Sequence, residues 1–136
     1  YTPNVIMLRG SENAGYEWLP RPRYLSFVAV AAIVRRGDCP PRLTPSERTL
    51  TAAKIRTMLR IAHYHGHDAL VLSAFGCGAF GNPPADVAAA FHEVLREREF
   101  HGAFREIVFA ILDDHNTGKA HNPDGNFQPF RRQFLG

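Results

Sequence analysis

Apolar and polar positions recur with two different periods along this chain, and the changes of period mark its elements. Residues 24–34 are a nearly continuous apolar run with Leu25, Phe27, Val28, Val30, Ile33 and Val34, the pattern of a strand buried on both faces. A loop is expected over 35–43, punctuated by Gly37, Pro40 and Pro41. A helix should then begin with Thr44 as its N-cap, because Pro45 suits the first helical position and Glu47 completes a Thr-x-x-Glu capping box. Ile55, Met58, Leu59 and Ala62 give that helix a core face, and Gly66 marks its end. Residues 69–75 read as a second strand, and Pro84 opens a second helix. In that helix Val87, Ala90, Phe91, Val94 and Leu95 recur at i, i+3, i+4, i+7 and i+8. A third strand over 107–112 runs into Asp113, Asp114, His115 and Asn116. Residues 126–135 suit a short helix with Phe127, Phe130 and Phe134 turned inward. From residue 24 onward the order strand, helix, strand, helix, strand predicts an α/β fold, with a mostly parallel sheet and helices on its faces.

Composition narrows the class. The chain has 136 residues, 45% hydrophobic and 21% charged, so one domain over 1–136 with its own core is expected. The formal charge of +3 comes from scattered arginines: Arg21 and Arg23, Arg35 and Arg36, Arg131 and Arg132. These suit an anionic ligand, but they form no basic stripe, so nucleic acid is not indicated; each pair reads first as solvated surface charge. Two cysteines, Cys39 and Cys77, are too few for a disulfide framework and lie in no Cys-x-x-Cys motif, which favours an intracellular location. The longest apolar run is too short to span a bilayer, and the chain does not open like a signal peptide, so no membrane association is expected. It opens on Tyr1, which is compatible with a processed product or with a fragment whose upstream part is absent.

The candidate chemistry lies after the second strand. Gly76, Gly78 and Gly81 remove the Cβ atoms that would keep backbone N–H groups from an anion, and a helix start follows. That combination predicts a diphosphate-bearing ligand; a plain tight turn is the alternative. In a parallel sheet this loop and residues 113–116 both fall at the carboxyl ends of strands, where ligands bind. A P-loop is excluded because no Gly-Lys-Ser/Thr follows the glycines. A dinucleotide fingerprint fits Gly76-Cys77-Gly78-Ala79-Phe80-Gly81 literally. Against it, Asn82-Pro83-Pro84 delays the helix, and Asp113 lies far beyond the offset of a ribose-binding carboxylate. An NAD-dependent enzyme therefore remains only as an alternative. His63, His65 and His67 read as cations at a helix C-terminus rather than metal ligands, and His115 and His121 lie near the acidic turn.

The strings VLSAFGCGAFGNPPADVAAAF and FREIVFAILDD, with Asn126 and Phe130 near the end, resemble the microbial type of poly(ADP-ribose) glycohydrolase (PARG) domain, a branch of the macrodomains. The resemblance implies a three-layer α/β/α fold and recognition of ADP-ribose, free or on a modified protein. It also implies that Gly76, Cys77, Gly78, Ala79, Phe80 and Gly81 form a diphosphate loop. Phe80 would pack on the ribose distal to the adenine, and Asn82 and Asp113 become further candidate contacts. Unaided, Phe80 reads equally well as a core residue, and Asp113 and Asp114 as turn residues.

Active relatives carry a Gly-Gly-Gly loop and a Gln-Glu-Glu segment upstream, whose glutamates act as acid and base. Neither motif occurs here, and Glu12, Glu17 and Glu47 lie in no such context. The resemblance therefore implies a truncated module that binds without cleaving. The alternative is one part of a hydrolase whose catalytic glutamates lie elsewhere. No cofactor or metal is implied and no catalytic residue is assigned. A sheet lacking its first strands would expose an apolar edge, which predicts self-association or a partner strand.

Overall fold

A computed structural model describes residues 1–35, 37 and 39–136. Within the expected loop over 35–43, Arg36 and Asp38 lie outside the described residues.

The chain opens with an antiparallel hairpin of β1 (Thr2–Arg9) and β2 (Trp18–Phe27), registered with Thr2 opposite Phe27 and Val5 opposite Leu25. Gly15 and Tyr16 both take positive φ in its turn, and the Gly10 N–H donates to Glu17 O at 2.8 Å. This hairpin corrects the expected strand over 24–34, which ends instead at Phe27. Pro20 and Pro22 remove two N–H donors from β2, so this strand suits an edge rather than the middle of a sheet.

α1 (Pro45–Tyr64) starts as expected: the Glu47 N–H donates to Thr44 Oγ1 at 3.3 Å, and the Thr44 N–H donates to Glu47 Oε2 at 2.8 Å. It ends in a Schellman arrangement, with the His67 N–H on Ala62 O and the Gly66 N–H on His63 O; Gly66 takes φ +75°. β3 (Ala69–Leu72), α2 (Pro84–Leu95) and β4 (Glu106–Phe109) follow. β3 and β4 pair in parallel, from Ala69 opposite Glu106 to Leu72 opposite Phe109, and α2 lies between them in the chain. α3 (Phe127–Leu135) closes the chain.

The core lies between the helices and one face of the β3/β4 pair. Ile55, Leu59, Val87, Phe91 and Val94 are buried there, with Leu70, Leu72 and Phe109 packed against them. Phe109 joins α3 to this core through Phe130 and Phe134, at ring-centroid distances of 5.1 and 4.8 Å. Phe127, expected inward, is 44% exposed at the first turn of α3, at the rim of an open groove that it lines together with Phe130 and Phe134. On the other face of the pair, Val71 and Val108 are exposed. Among the described residues the sheets are therefore two two-stranded units, one antiparallel and one parallel, not one mostly parallel sheet. No helix among them is long and apolar enough to cross a membrane.

Candidate functional site

The loop that follows β3 turns on its glycines. Gly76 takes φ +73°, and a Cβ there would fall 2.5 Å from the Ala32 Cβ and closer still to the Asn82 amide. Gly81 takes φ +68°, and a Cβ there would meet Arg35 O at 3.1 Å. Gly78 has ordinary φ, and its α-carbon faces Asp114 Oδ2, which would stand 3.1 Å from an added Cβ. Two of the glycines thus serve close approach by the chain itself, and the third borders the acidic turn.

The loop's amides divide into two sets. Those of Cys77, Gly81 and Asn82 turn inward, donating to Ala74 O, Gly78 O and Gly76 O at 3.0, 2.9 and 3.0 Å. Those of Gly78, Ala79 and Phe80 find no acceptor among the described residues. Three successive N–H groups without a partner among the described residues are donors open to an anion. Beside them lies an open cleft of about 280 Å³, lined by Val30, Ala32, Phe75, Gly76, Ala79 and Phe80. The Phe80 ring is 38% exposed, so it is available at the surface rather than spent in the core.

Two residues hold this loop from beneath. Asn82, buried at 2% exposure, donates from Nδ2 to Ile33 O at 2.7 Å and to Gly76 O at 2.9 Å, tying the segment before α1 to the loop after β3. Arg35 works from the other side. Its N–H donates to Phe80 O at 2.9 Å, and its guanidinium reaches Glu47 Oε1 at 3.0 Å, Pro40 O at 2.8 Å and Arg42 O at 3.0 Å. Its side chain is only 2% exposed, which corrects its reading as solvated surface charge: so many acceptors offset the desolvation of the guanidinium.

The second loop is packed against the first but uses its carboxylates internally. Asp113 Oδ1 accepts from the N–H groups of Asn126 and Phe127 at 2.6 and 3.0 Å, capping α3. Asp114 Oδ1 accepts the Asn116 N–H at 2.8 Å, an Asx turn. Burial, then the charge of Asp114, pushes the Cys77 thiol pKa up, so this buried sulfur is no thiolate nucleophile at neutral pH. His121 lies by Gly81 with a buried, unpartnered Nε2; burial first, then Lys119 and Arg35, lower its pKa.

No family model and no curated protein matches this chain. Solved structures do. PARG from Deinococcus radiodurans in complex with ADP-ribose aligns at 30% identity and a TM-score of 0.72, covering 98% of this chain and 50% of that one. PARG from Thermomonospora curvata aligns at 32% identity and 0.76, covering 97% and 45%. The same enzyme bound to the inhibitor ADP-HPD also aligns at 32% identity and 0.76, covering 97% and 47%. The fold is that of a PARG-type domain. The chain spans about half the length of the solved structures it matches.

Of the loop residues of this PARG-type domain, Gly76, Ala79 and Phe80 line the cleft, while Gly78 and Gly81 do not and Cys77 is buried. Asn82 and Asp113 sit in supporting positions, on Gly76 and on α3. The clamp by Arg35 went unread because a long-range charge pair leaves no periodic signal; the Thr44 capping box, which fixes Glu47, was its one local trace. The histidines at the end of α1 receive Tyr1, whose ring stacks on His65 at 3.9 Å while its hydroxyl lies 2.6 Å from His67 Nε2. Among the described residues, no group of three or more His, Cys, Asp or Glu could hold a metal ion.

Proposed function

We propose that this chain recognises ADP-ribose, free or attached to protein or polymer, and that residues 76–81 receive its diphosphate. The observation that carries this reading is the run of open amides at Gly78, Ala79 and Phe80, beside a cleft edged by an exposed aromatic ring. A diphosphate supplies the acceptors those donors lack, and Phe80 packs on the apolar side of the distal ribose. The similar PARG structures in complex with ADP-ribose and with the inhibitor ADP-HPD support the same choice. Asn82 and Asp113 enter by holding Gly76 and the start of α3 in place.

In this proposal the 136 residues form one domain that binds without cleaving, since they contain no Gln-Glu-Glu segment to protonate a leaving group. The half-length match favours a second reading, in which a further segment completes a glycohydrolase and covers the open face of β3 and β4 as the third layer of an α/β/α macrodomain. Two cysteines, too few for a disulfide framework, suit an intracellular setting.

The test is thermal unfolding with ADP-ribose against NAD. A ligand at about a hundred times its Kd adds about 2.7 kcal/mol of apparent stability. ADP-ribose should raise Tm more than NAD at equal concentration, and Phe80→Ala should raise the ADP-ribose Kd about tenfold. Equal or greater stabilisation by NAD would point to a dinucleotide enzyme instead.

A further inference from the structure

The hairpin carries an open strand edge. β1 pairs with β2 on one side and with no strand among the described residues on the other, and all eight of its residues are exposed. The two strands pack chiefly on each other, and a free-standing pair of strands is marginal in water. The two outer edges differ in chemistry. β2 holds Pro20, Arg21, Pro22 and Arg23 in a row, prolines and charges of the kind that keep a strand edge from pairing. β1 has no formal charge from Thr2 to Leu8, and its Val5, Ile6, Met7 and Leu8 are 37–53% exposed.

We propose that β1 pairs antiparallel with β1 of a second copy of this chain, about a two-fold axis through Ile6, so that two hairpins form one four-stranded sheet. The backbone selects this register. Shifts interrupt the β1–β2 ladder between Thr2 and Val5 and between Met7 and Arg9, and Asn4, at φ +54°, lies in the first of them; Val5, Ile6 and Met7 remain as the regular stretch. Antiparallel partners both turn their N–H and C=O groups toward the other strand, so two copies of one strand pair with the axis passing through a residue, never between two. Centred on Ile6, the axis sets Ile6 against the partner's Ile6 and Val5 against the partner's Met7, which uses the whole regular stretch. Tyr24 lies directly opposite Ile6 in the hairpin, so one face of the joined sheet carries an unbroken row of two isoleucines flanked by two tyrosines.

A second copy is the occupant because the strand is complementary to itself. Its one charge, Arg9, sits at the end of the strand, so antiparallel pairing holds the two Arg9 residues roughly 20 Å apart, beyond the range of screened repulsion. The blocked edge of β2 then stops growth at four strands, which gives a closed pair rather than a fibre. Area sets the strength. The four apolar side chains of β1 expose roughly 300 Å² per copy, at the small end of specific interfaces, so the dimer Kd is on the order of 10–100 μM. The cleft beside the glycine loop is lined by Val30 and Ala32 and by no residue of the hairpin, so the pairing stands or falls independently of the ADP-ribose reading.

The experiment is sedimentation equilibrium of residues 1–136 from about 1 to about 500 μM, where the chain should pass from monomer to dimer and stop there. Ile6→Lys, which sets two ammonium groups face to face on the axis from an exposed position, should weaken the dimer at least about tenfold and leave the melting of the dilute chain unchanged. Cross-linking reads the register, in a Cys39→Ser background because Cys39 is exposed. Ile6→Cys places two thiols across the axis, with Cα atoms about 4.5–5.5 Å apart, and should give a disulfide-linked dimer on mild oxidation. Tyr24→Cys, three strand spacings or about 14 Å from its counterpart, should not. A chain that stays monomeric over this range overturns the proposal and leaves the edge to a different partner. A dimer that ignores Ile6→Lys, or links as readily through Tyr24→Cys, also overturns it, as does association that runs on past two copies.

Discussion

At the scale of single residues, the three glycines of the loop perform different tasks, and substitution should separate them. Gly76→Ala forces a methyl group against Ala32 and Asn82 at a positive φ. Neither neighbour is the free end of a long side chain, so it should destabilise the fold by about 2–4 kcal/mol in urea titration. Gly78→Ala meets only the Asp114 carboxylate, whose side chain can yield, and should change stability by less than about 0.5 kcal/mol. The same methyl group stands among the open amides, so the ADP-ribose Kd should rise about tenfold, equivalent to about 1.4 kcal/mol. His121 provides a pH test. Its folded pKa is depressed by burial and nearby cations, so the unfolded chain takes up the proton first as pH falls. The stability it supplies is whole above the ordinary histidine pKa of about 6.5 and is lost as pH drops toward the folded value. The urea midpoint should therefore be lower at about pH 5.5 than at about pH 7.5, with a smaller difference in His121→Gln.

At the scale of elements, local chemistry was readable and long-range pairing was not. The Thr44 box, Pro84 at the first turn of α2, and the i, i+3, i+4 spacing of Val87, Ala90, Phe91 and Val94 all predicted structure that is present, because each is satisfied within a few residues. The apolar run over 24–34 was misplaced for the opposite reason. A strand exists only where a neighbour supplies hydrogen bonds, and beyond Phe27 that neighbour is not among the described residues. Asp113 belongs to this scale: Asp113→Ala should remove the cap of α3 and lower stability by about 1 kcal/mol, with little direct effect on ligand affinity. So does the ladder between α1 and the last turn of α2 with the segment after it, in which Arg48, Arg56 and Arg60 pair with Glu93, Glu97 and Glu99. Only the Arg56–Glu97 pair is half-buried and bidentate, at 2.7 and 2.5 Å. Arg56→Ala should cost about 1 kcal/mol at low salt and less at high salt.

At the scale of the whole molecule, the glycine string identified the loop, and the folded chain added what supports it: Asn82 and Arg35, drawn from segments 49 and 45 positions away from Ile33 and Phe80 in sequence. Neither contact has a sequence period, so neither could be read before the chain was folded. The hairpin and the outer face of β3 and β4 leave Ile6, Trp18, Tyr24, Val71 and Leu112 exposed, more apolar surface than an isolated two-stranded unit carries comfortably in water. The account's central claim is narrower: three amides in one turn wait for a diphosphate. The most direct measurement is an amide NMR titration of the chain with ADP-ribose and, separately, with adenosine. The account predicts that Gly78, Ala79 and Phe80 shift and saturate together with ADP-ribose and stay still with adenosine, which has no diphosphate. Shifts of the same size with both ligands, or ADP-ribose binding that leaves these three amides unmoved, would contradict it.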